Sequence, residues 1–387
     1  MFIKMRIVYA DNAATSFPKA PGVAAAISDY LNNIGCNIGR GNYASSHTLA
    51  RQVLETRELI GKLFHFSQER NVIFTSGITQ SINMLIKGYL KPGDHVLVSS
   101  MEHNAVMRPL NYVTTQGISY DRIPCAIDGT LNPADIPPLI KANTKALITL
   151  HASNVCGTIL PLADIGEICS KHGIKLFVDA AQTAGIIDID MSYIDALAFP
   201  GHKGLLAVQG IGGILLKDDL AEQLTPIFMG GTGSGSFDET QPSFLPDKFE
   251  SGTMNIPGVL GLRTAINYIN DSGMDNIFRE EMKLTALFLE GAARLPGAKI
   301  IGRPDLEKRV AVVSLEFPGK DMPQIATDLD TSYGIMTRYG CHCAPAAHRT
   351  LHTFPKGTIR FSFSHFQTAA DIEYILDSLK EILAYSS

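Results

Sequence analysis

Tryptophan is absent from this chain of 387 residues, and charged side chains make up only 18% of it. Hydrophobic residues account for 45%, a share typical of globular proteins, which excludes an intrinsically disordered chain. A basic excess is also missing, because 33 lysines and arginines stand against 38 aspartates and glutamates. The formal charge of −5 offers no general field for nucleic acid or anionic lipid, so neither is an expected partner.

Long apolar runs are missing as well. No stretch approaches the ~18 consecutive apolar residues of a membrane-spanning helix, and the apolar run near the N-terminus is too short for a signal peptide. We therefore expect a cytoplasmic protein that does not enter a membrane. Its length allows two or three domains and excludes a small module held together by disulfides.

Six cysteines occur, but their scattered spacing does not indicate a disulfide framework. They are Cys36, Cys125, Cys156, Cys169, Cys341 and Cys343. Without a secretory signal they are expected to be reduced thiols. Cys341 and Cys343 flank a histidine, with His348 and His352 close behind, yet this spacing departs from that of zinc motifs. No metal is predicted, and zinc is kept as the weaker alternative.

Short apolar stretches alternate with helical patterns from residue 70 to residue 216. The predicted strands are Val72–Thr75, Val96–Ser99, Ile118–Ile123, Ala146–Leu150, Leu176–Val178, Leu197–Phe199 and Gly212–Leu216. Strands that are apolar on both faces and separated by helices are typical of an α/β fold with a mainly parallel sheet. Before them, apolar residues at three-to-four spacing predict a long amphipathic helix over Ser45–Phe66.

The pattern changes after a glycine-rich and proline-rich segment at Phe228–Pro257, which we predict to be a flexible or interface loop. Beyond it, helices are predicted at Gly258–Asn270, Asn276–Leu295, Met322–Tyr333 and Ala369–Ala384, with a strand at Val310–Phe317. These elements indicate a second, smaller α/β unit. We predict a large domain over residues 16–259 and a small domain formed by residues 1–15 and 260–387.

An aspartate and a lysine follow two successive predicted strands. Asp179 ends the strand Leu176–Val178, with Gln182 three residues later, and Lys203 follows the next strand. In such a sheet, ligands bind beyond the carboxyl ends of the strands, where both side chains would meet. Pyridoxal phosphate requires a lysine for its Schiff base and a carboxylate beside its ring nitrogen. Taken singly, Asp179 would be a turn cap and Lys203 a solvated lysine.

A phosphate cradle is predicted where the strand Val72–Phe74 passes into a helix. Gly77, Ile78 and Thr79 stand at this junction, which presents free backbone N–H groups and a positive helix end to an anion. Thr79 adds a hydroxyl. The same segment is also compatible with an ordinary helix cap.

Six short motifs resemble, in order, those of the class V aminotransferase family. They are Asp11-Asn12-Ala13-Ala14-Thr15, Glu102-His103, His151-x-Ser153-Asn154-x-x-Gly157, Val178-Asp179-Ala180-Ala181-Gln182, Gly201-His202-Lys203 and Glu250-Ser251-Gly252-Thr253. The chain most resembles the cysteine desulfurase and selenocysteine lyase group of this family, from about residue 8 to residue 380. The resemblance implies a pyridoxal-phosphate-dependent enzyme of fold type I.

The resemblance also implies roles for individual residues. Lys203 would form the Schiff base, and Asp179 would pair with the pyridine nitrogen. His103 would stack on the cofactor ring and transfer protons. Gln182 would donate a hydrogen bond to the phenolic oxygen of the cofactor, and Asn154 would lie beside that oxygen and the substrate carboxylate. Thr79 and His202 would bind the phosphate. Thr253 would reach the phosphate of a second subunit, so a homodimer is expected, with the Phe228–Pro257 loop at its interface. Without the neighbouring motifs, His103 and His202 would be taken as buried histidines bonded to backbone.

Residues 338–345 resemble the R-x-G-x-H-C-A segment of the desulfurases, which makes Cys343 the implied nucleophile. His342 and Arg338 are expected to be cationic neighbours that lower the pKa of its thiol. Cys341 has no counterpart in this pattern and is a spectator, a resolving thiol or a persulfide relay. Arg360 matches the arginine that binds the substrate carboxylate, for which a guanidinium fork is well suited.

Two positions depart from the family pattern. Pro200 occupies the place of a phosphate-binding serine and offers neither a hydroxyl nor an N–H, and Ala207-Val208 replace a frequent Gly-Pro.

The expected reaction is removal of sulfur from L-cysteine, giving L-alanine and a persulfide on Cys343, with delivery to an acceptor protein for iron–sulfur cluster assembly. The alternatives are a selenocysteine lyase, another class V aminotransferase or C–S lyase, and a thiol-based metal-binding scaffold.

Overall fold

The computed structural model describes residues 6–38, 43–234 and 237–385. The first described strand is β1 (Val8–Tyr9), and a seven-stranded sheet follows it in the chain. Its strands are β2 (Val72–Thr75), β3 (His95–Ser99), β4 (Ser119–Ile123), β5 (Thr144–Leu150), β6 (Lys175–Asp179), β7 (Ala196–Pro200) and β8 (Gly212–Leu216). Their spatial order is β2-β8-β7-β6-β5-β3-β4. β8 is antiparallel to both neighbours and the remaining pairs are parallel, so the predicted α/β fold with a mainly parallel sheet is confirmed.

The helices cover this sheet and a smaller one. They are α1 (Val23–Asp29), α2 (Ala44–Leu63), α3 (Ile78–Tyr89), α4 (Asn104–Thr114), α5 (Leu162–His172), α6 (Asp218–Gln223), α7 (Ile256–Ser272), α8 (Met274–Ala292), α9 (Met322–Tyr333), α10 (Pro345–Thr350) and α11 (Ala369–Tyr385). The predicted amphipathic helix is observed as α2, with its ends shifted by one to three residues. Among the described helices, none combines the length and the apolarity needed to cross a membrane.

Alternate residues of the central strands face two separate hydrophobic cores. In β6, Leu176 and Val178 contribute to the core beneath α2, α5 and α7, whereas Phe177 contributes to the core beneath α3 and α4. Because both faces of the strand are buried, a polar side chain is accommodated where the strand ends. Asp179 occupies that position in β6.

A second, four-stranded sheet is antiparallel throughout. The remaining strands are β9 (Lys299–Ile301), β10 (Val312–Glu316), β11 (Ile335–Met336), β12 (Arg338–Gly340) and β13 (Thr358–Ser362). The sheet has the order β12-β13-β10-β9, and β1 pairs with β11 in a separate two-stranded sheet. The pairing of β1 with β11 supports our proposal that residues 1–15 belong with residues 260–387. The domain boundary itself stays a prediction.

Candidate active site

Asp179 and Lys203 lie at the same edge of the large sheet. Asp179 is the buried last residue of β6, and Lys203 lies in the turn after β7. The backbone N–H of Ala181 donates to Asp179 Oδ1 at 2.8 Å. Burial raises the pKa of Asp179, whereas this hydrogen bond and the charge of Lys203 act to lower it. The carboxylate is therefore fixed in orientation next to a cation.

Lys203 is partly exposed and lines a small cavity of about 40 Å³ together with Gln182. Burial lowers the pKa of Lys203 to about 8; the charges of Arg360 and Arg338 act in the same direction and Asp179 opposes them. An amine with this pKa is partly unprotonated near neutral pH. That is the form in which a lysine acts as a nucleophile or as a base.

His103 is the N-cap of α4, and its Nδ1 accepts a hydrogen bond from the backbone N–H of Ala105 at 3.0 Å. Burial lowers the pKa of His103 to about 4, and the nearby charges of Lys203 and Arg338 contribute. The ring is therefore neutral at neutral pH, with its proton on Nε2. The resemblance implies that this imidazole stacks on a flat ring, and that role stays a prediction.

The residues predicted to bind an anion lie before and in the first turn of α3. Gly77 precedes the helix with a φ of 140°, and a Cβ at this residue would meet no atom within 4 Å. Open space therefore lies beside the N-terminal turn, where the backbone N–H groups of Ile78 and Thr79 lack helical acceptors. The Thr79 side chain is exposed. A Cβ on Gly212 would lie 2.8 Å from Gly77 Cα, so glycine at 212 permits β8 to approach this turn closely.

His202 and a lysine that the sequence did not predict, Lys19, both contact the last residue of the first motif, Thr15. His202 Nδ1 is 3.1 Å from Thr15 Oγ1, and Lys19 Nζ donates to Thr15 Oγ1, Ser16 Oγ and the carbonyl of His202. Burial lowers the pKa of Lys19 to about 8. Burial also lowers the pKa of His202 to about 4, with a contribution from the charges of Lys203 and Lys19. The sequence signal for Lys19 was its position four residues after the first motif.

Arg360 is on β13, directly opposite Arg338 of β12. Its Nη2 contacts Asp11 Oδ1 at 2.6 Å, and its Nη1 donates to the carbonyl of Asn154 at 3.1 Å. Burial lowers the pKa of Arg360, which Asp11 opposes. The Nε of Arg360 has no hydrogen-bond partner among the described residues, so a donor remains for a ligand. Asp11 begins the first motif, but nothing in the sequence pattern indicated its contact with Arg360.

The two predicted side-chain amides are both engaged by the protein. Gln182 Nε2 donates to the carbonyl of Ala13 at 3.1 Å, and Asn154 Nδ2 donates to the carbonyl of His342 at 2.8 Å. The oxygen of Asn154, Oδ1, is buried and unpartnered within the described part of the chain. Asn154 therefore joins the cofactor side of the site to the segment that carries Cys343.

Cys343 is exposed and lies in a tight turn. Its carbonyl accepts a hydrogen bond from the backbone N–H of Asn104 at 2.8 Å, so the turn contacts the residue next to His103. Arg338 Nη2 lies 3.9 Å from Cys343 Sγ. Cys341, two residues earlier, directs its Sγ toward the carbonyl of Pro355 at 3.6 Å.

The prediction that His342 is a cation beside Cys343 is wrong. Its ring is buried and its Nε2 lies 3.0 Å from Thr358 Oγ1. Burial lowers the pKa of His342 to about 2, with contributions from Arg360, His348 and Arg338. Sequence proximity suggested a charge, but the ring points inward. Arg338 is the cation that the structure places near the thiol.

No cluster of three or more histidine, cysteine, aspartate or glutamate side chains that could hold a metal occurs within residues 6–38, 43–234 and 237–385. The zinc alternative required Cys341, Cys343, His348 and His352 to converge. His348 instead places its Nδ1 2.7 Å from Thr353 Oγ1. These four side chains are therefore not arranged as a ligand set.

Thr253 is exposed and lines a larger cavity of about 800 Å³ with Ser76 and Gln80 of the same chain. A nearly buried ion pair holds the preceding residues: Arg57 Nη2 lies 2.7 Å from Glu250 Oε2, and the backbone N–H of Phe74 donates to Glu250 Oε1 at 2.7 Å. Glu250 therefore links β2 to the turn that carries Thr253. The contact of Thr253 with a second subunit stays a prediction.

We expect Glu250→Ala to lower the free energy of unfolding by about 3 kcal/mol, because it would leave the Arg57 guanidinium buried without its counter-charge. Glu290→Ala is the matched control, since Glu290 pairs with Arg294 on the surface at 2.8 Å. That change should cost about 0.5 kcal/mol or less. Urea unfolding of the two variants measures the difference. Equal unfolding midpoints would contradict the importance of the Arg57–Glu250 pair.

The residues at this site fit pyridoxal phosphate by the chemistry of their donor set. A lysine with a lowered pKa and a buried carboxylate lie at one strand edge, and an open helix N-terminus lies at another strand end of the same sheet. The charge of Lys203 acts on the pKa values of Asp179, His103 and His202, which places these four residues in one region. Among the described residues, no hydrogen bond joins these four to Thr79 or to Thr253, so the phosphate contacts of both threonines stay predictions.

Comparisons with known proteins give a consistent result. A family model for class-V aminotransferases matches residues 8–375. A probable cysteine desulfurase of Halalkalibacterium halodurans is 34% identical over 390 residues, covering 98% of this chain and 94% of that protein. A solved cysteine desulfurase of Thermococcus onnurineus has a TM-score of 0.91 at 30% identity, covering 98% of this chain and 95% of that one. The cysteine desulfurase CsdA of Escherichia coli has a TM-score of 0.88 at 28% identity, covering 98% and 95%.

The similarity extends over all three sheets and includes every segment that forms the site. Because the similarity covers nearly the whole chain, it is not that of a local motif shared by different folds. The predicted fold type I is confirmed. The resemblance found in the sequence is likewise confirmed: the chain belongs to the class-V aminotransferase family.

Proposed function

We propose that the protein is a pyridoxal-phosphate-dependent cysteine desulfurase. It removes sulfur from L-cysteine, releases L-alanine and retains the sulfur as a persulfide on Cys343. The observation that carries this proposal is the exposed thiol of Cys343 in a turn that is bonded to Asn104, next to His103. An aminotransferase that only exchanges amino groups has no need of a nucleophilic thiol at this place. The relatives described as cysteine desulfurases support the same activity.

The cofactor would be held along the carboxyl edge of the large sheet. Lys203 would bind it covalently, Asp179 would pair with its ring nitrogen and His103 would stack on its ring. The phosphate would lie at the first turn of α3, near Thr79, with His202 on the other side. When bound, pyridoxal phosphate supplies an electron sink that makes the substrate α-proton acidic.

The chain's own residues orient the substrate and move its protons. Arg360 would bind the substrate carboxylate through its unpartnered Nε and one terminal nitrogen, because Nη1 and Nη2 each keep a second N–H beside the one that contacts Asn154 or Asp11. Bound in this way, the substrate would turn its α-carbon toward Lys203, on whose pKa the charge of Arg360 acts. Lys203 would take the α-proton and later return a proton, for which an amine with a pKa of about 8 is well matched to neutral pH.

Cys343 would then attack the sulfur of the substrate. A bond forms between Cys343 Sγ and the substrate sulfur as the bond from that sulfur to the substrate Cβ breaks. The electron pair left on Cβ takes up a proton, so the organic product is alanine. Arg338, at 3.9 Å from Sγ, would stabilise the thiolate that starts this step.

We also infer that the enzyme acts as a homodimer and passes its persulfide to a thiol of an acceptor protein. Exposed apolar side chains in the Phe228–Pro257 segment support the dimer: Phe228, Met229, Phe237 and Phe244. All six cysteines are free thiols, which supports a reducing compartment, and we propose the cytoplasm. Sulfur delivered there would serve iron–sulfur cluster assembly.

The test is to incubate the cofactor-loaded enzyme with L-cysteine and to measure alanine together with the mass of the peptide that contains Cys343. We expect one alanine per enzyme in the absence of a reductant and a mass gain of one sulfur atom on Cys343. Catalytic turnover should follow when a thiol reductant is added. Absence of alanine, or alanine without sulfur on Cys343, would show that the proposed reaction is wrong.

A further inference from the structure

Residues Cys341–Ala344 form a reverse turn of an uncommon hand. The backbone N–H of Ala344 donates to the carbonyl of Cys341 at 2.7 Å, which closes the turn. The two central residues, His342 and Cys343, have φ values of 46° and 56°. Consecutive positive φ values are typical of type I′ turns, which favour glycine and asparagine. Neither residue occurs here, so the surroundings must offset the cost of this backbone conformation.

Two hydrogen bonds hold the backbone of this turn from outside. The carbonyl of His342 accepts from Asn154 Nδ2 at 2.8 Å, and the carbonyl of Cys343 accepts from the backbone N–H of Asn104 at 2.8 Å. The donors come from two different segments, one after β5 and one at the start of α4. The turn is therefore bonded both to the segment that carries Asn154 and to the segment that carries His103.

The side chain of His342 provides a third attachment, and the direction of its hydrogen bond can be deduced. Ser314 Oγ donates to the carbonyl of Val155 at 2.7 Å, and Thr358 Oγ1 donates to Ser314 Oγ at 3.0 Å. Because the Thr358 proton is used, His342 Nε2 must donate to Thr358 Oγ1. The chain of bonds runs from the turn to the backbone carbonyl next to Asn154.

His342 is thus well anchored but uncharged. It is 4% exposed, and burial keeps its ring neutral, so it does not act on the Cys343 thiol through charge. The ring points inward and bonds Thr358, so it attaches the turn to β13. The ring lies beside that of His348, with the two ring centroids 5.5 Å apart.

We propose that His342 is a positioning residue, whose ring, bonded to Thr358, holds the left-handed turn and so fixes the place of the Cys343 thiol. The proposal rests on the proposed desulfurase function. It assigns the Asn154 amide to the same task, in addition to any contact with cofactor or substrate. A displacement of about 1 Å at a reacting atom can reduce a rate by about 10²-fold, so the anchor has a measurable effect.

The test compares two reactions of the cofactor-loaded enzyme. Exchange of the α-proton of L-alanine in D₂O requires Lys203 and the cofactor but no thiol. Single-turnover formation of alanine from L-cysteine also requires a correctly placed Cys343. A change that acts on the position of the thiol should affect the second reaction and spare the first.

The informative variants are Thr358→Val, which removes the acceptor of the His342 ring, and His342→Gly, which keeps the hand of the turn but removes the ring. We expect each to lower single-turnover alanine formation by about tenfold or more, while proton exchange stays within about twofold of wild type. Amide hydrogen exchange of residues 338–345 should become faster in both variants. Thr358→Ser retains the hydroxyl and should restore wild-type behaviour.

Thr353→Val is the matched control, because the hydroxyl of Thr353 bonds the neighbouring buried histidine, His348, at 2.7 Å. It should leave alanine formation unchanged. Wild-type rates in Thr358→Val and His342→Gly would overturn the proposal, and so would an equal loss of both reactions, which would indicate a general effect on the fold. If the wild-type enzyme makes no alanine, the desulfurase function itself fails, and this proposal with it.

Discussion

Cys343→Ser is expected to lower alanine formation from L-cysteine by more than about 10³-fold, because a hydroxyl cannot accept the substrate sulfur as a persulfide. The variant should keep the exchange of the α-proton of L-alanine, since that reaction depends on Lys203. Serine is nearly isosteric with cysteine, so the turn at 341–344 should persist. Alanine and proton exchange are measured on the same cofactor-loaded preparation by amino-acid analysis and NMR.

Cys341→Ser is the matched control for this prediction. Cys341 lies in the same turn, but its Sγ faces the carbonyl of Pro355 at 3.6 Å. We expect single-turnover alanine formation to remain close to the wild-type rate. If Cys341→Ser lost as much activity as Cys343→Ser, the attack on the substrate could not be assigned to Cys343 alone. A wild-type rate in Cys343→Ser would instead favour a C–S lyase that needs no thiol.

Lys203→Ala is expected to abolish both α-proton exchange and alanine formation, with a loss of about 10³-fold or more. The reason is that Lys203 is the amine that would hold the cofactor and the base that would move the α-proton. Added methylamine should restore part of the exchange rate, because a free amine can replace the missing side chain. NMR detection of deuterium at the α-carbon measures the effect directly.

Lys19→Met tests whether the loss is specific to Lys203. Both lysines have a pKa lowered to about 8 by burial, but Lys19 Nζ contacts Thr15, Ser16 and the carbonyl of His202. We expect a loss of about tenfold at most, through the position of His202. If Lys19→Met and Lys203→Ala are equally impaired, Lys203 is not the residue that performs the proton transfer.

The large sheet was predictable from sequence because its physical requirement is visible in the central strands. A strand with both faces buried must be apolar throughout, and the segments around Leu147, Phe177 and Leu197 satisfy this. The same logic located Asp179 and Lys203, since each stands where an apolar run ends. Helix ends differed by a few residues, because helix termini are less constrained by burial than helix centres.

The two smaller sheets were harder to predict for the opposite reason. β11 and β12 have only two and three residues, too short for a periodic signal, and β13 includes the charged residue Arg360. Their pairing joins segments that are far apart in sequence, such as β1 with β11. Sequence patterns report which face of an element is buried, but they do not report which element covers it.

The amino-acid sequence by itself determined the fold class, the family and the candidate residues, because burial on both faces and six ordered motifs are properties of the chain alone. The tertiary structure decided how those residues are charged and oriented. It turned His342 inward, so that burial keeps the ring neutral, and it placed Arg338 rather than His342 beside Cys343 Sγ. It also bonded Asn154 to the cysteine turn. A pKa and a hydrogen bond depend on the groups that folding brings near, and sequence neighbours do not reveal them.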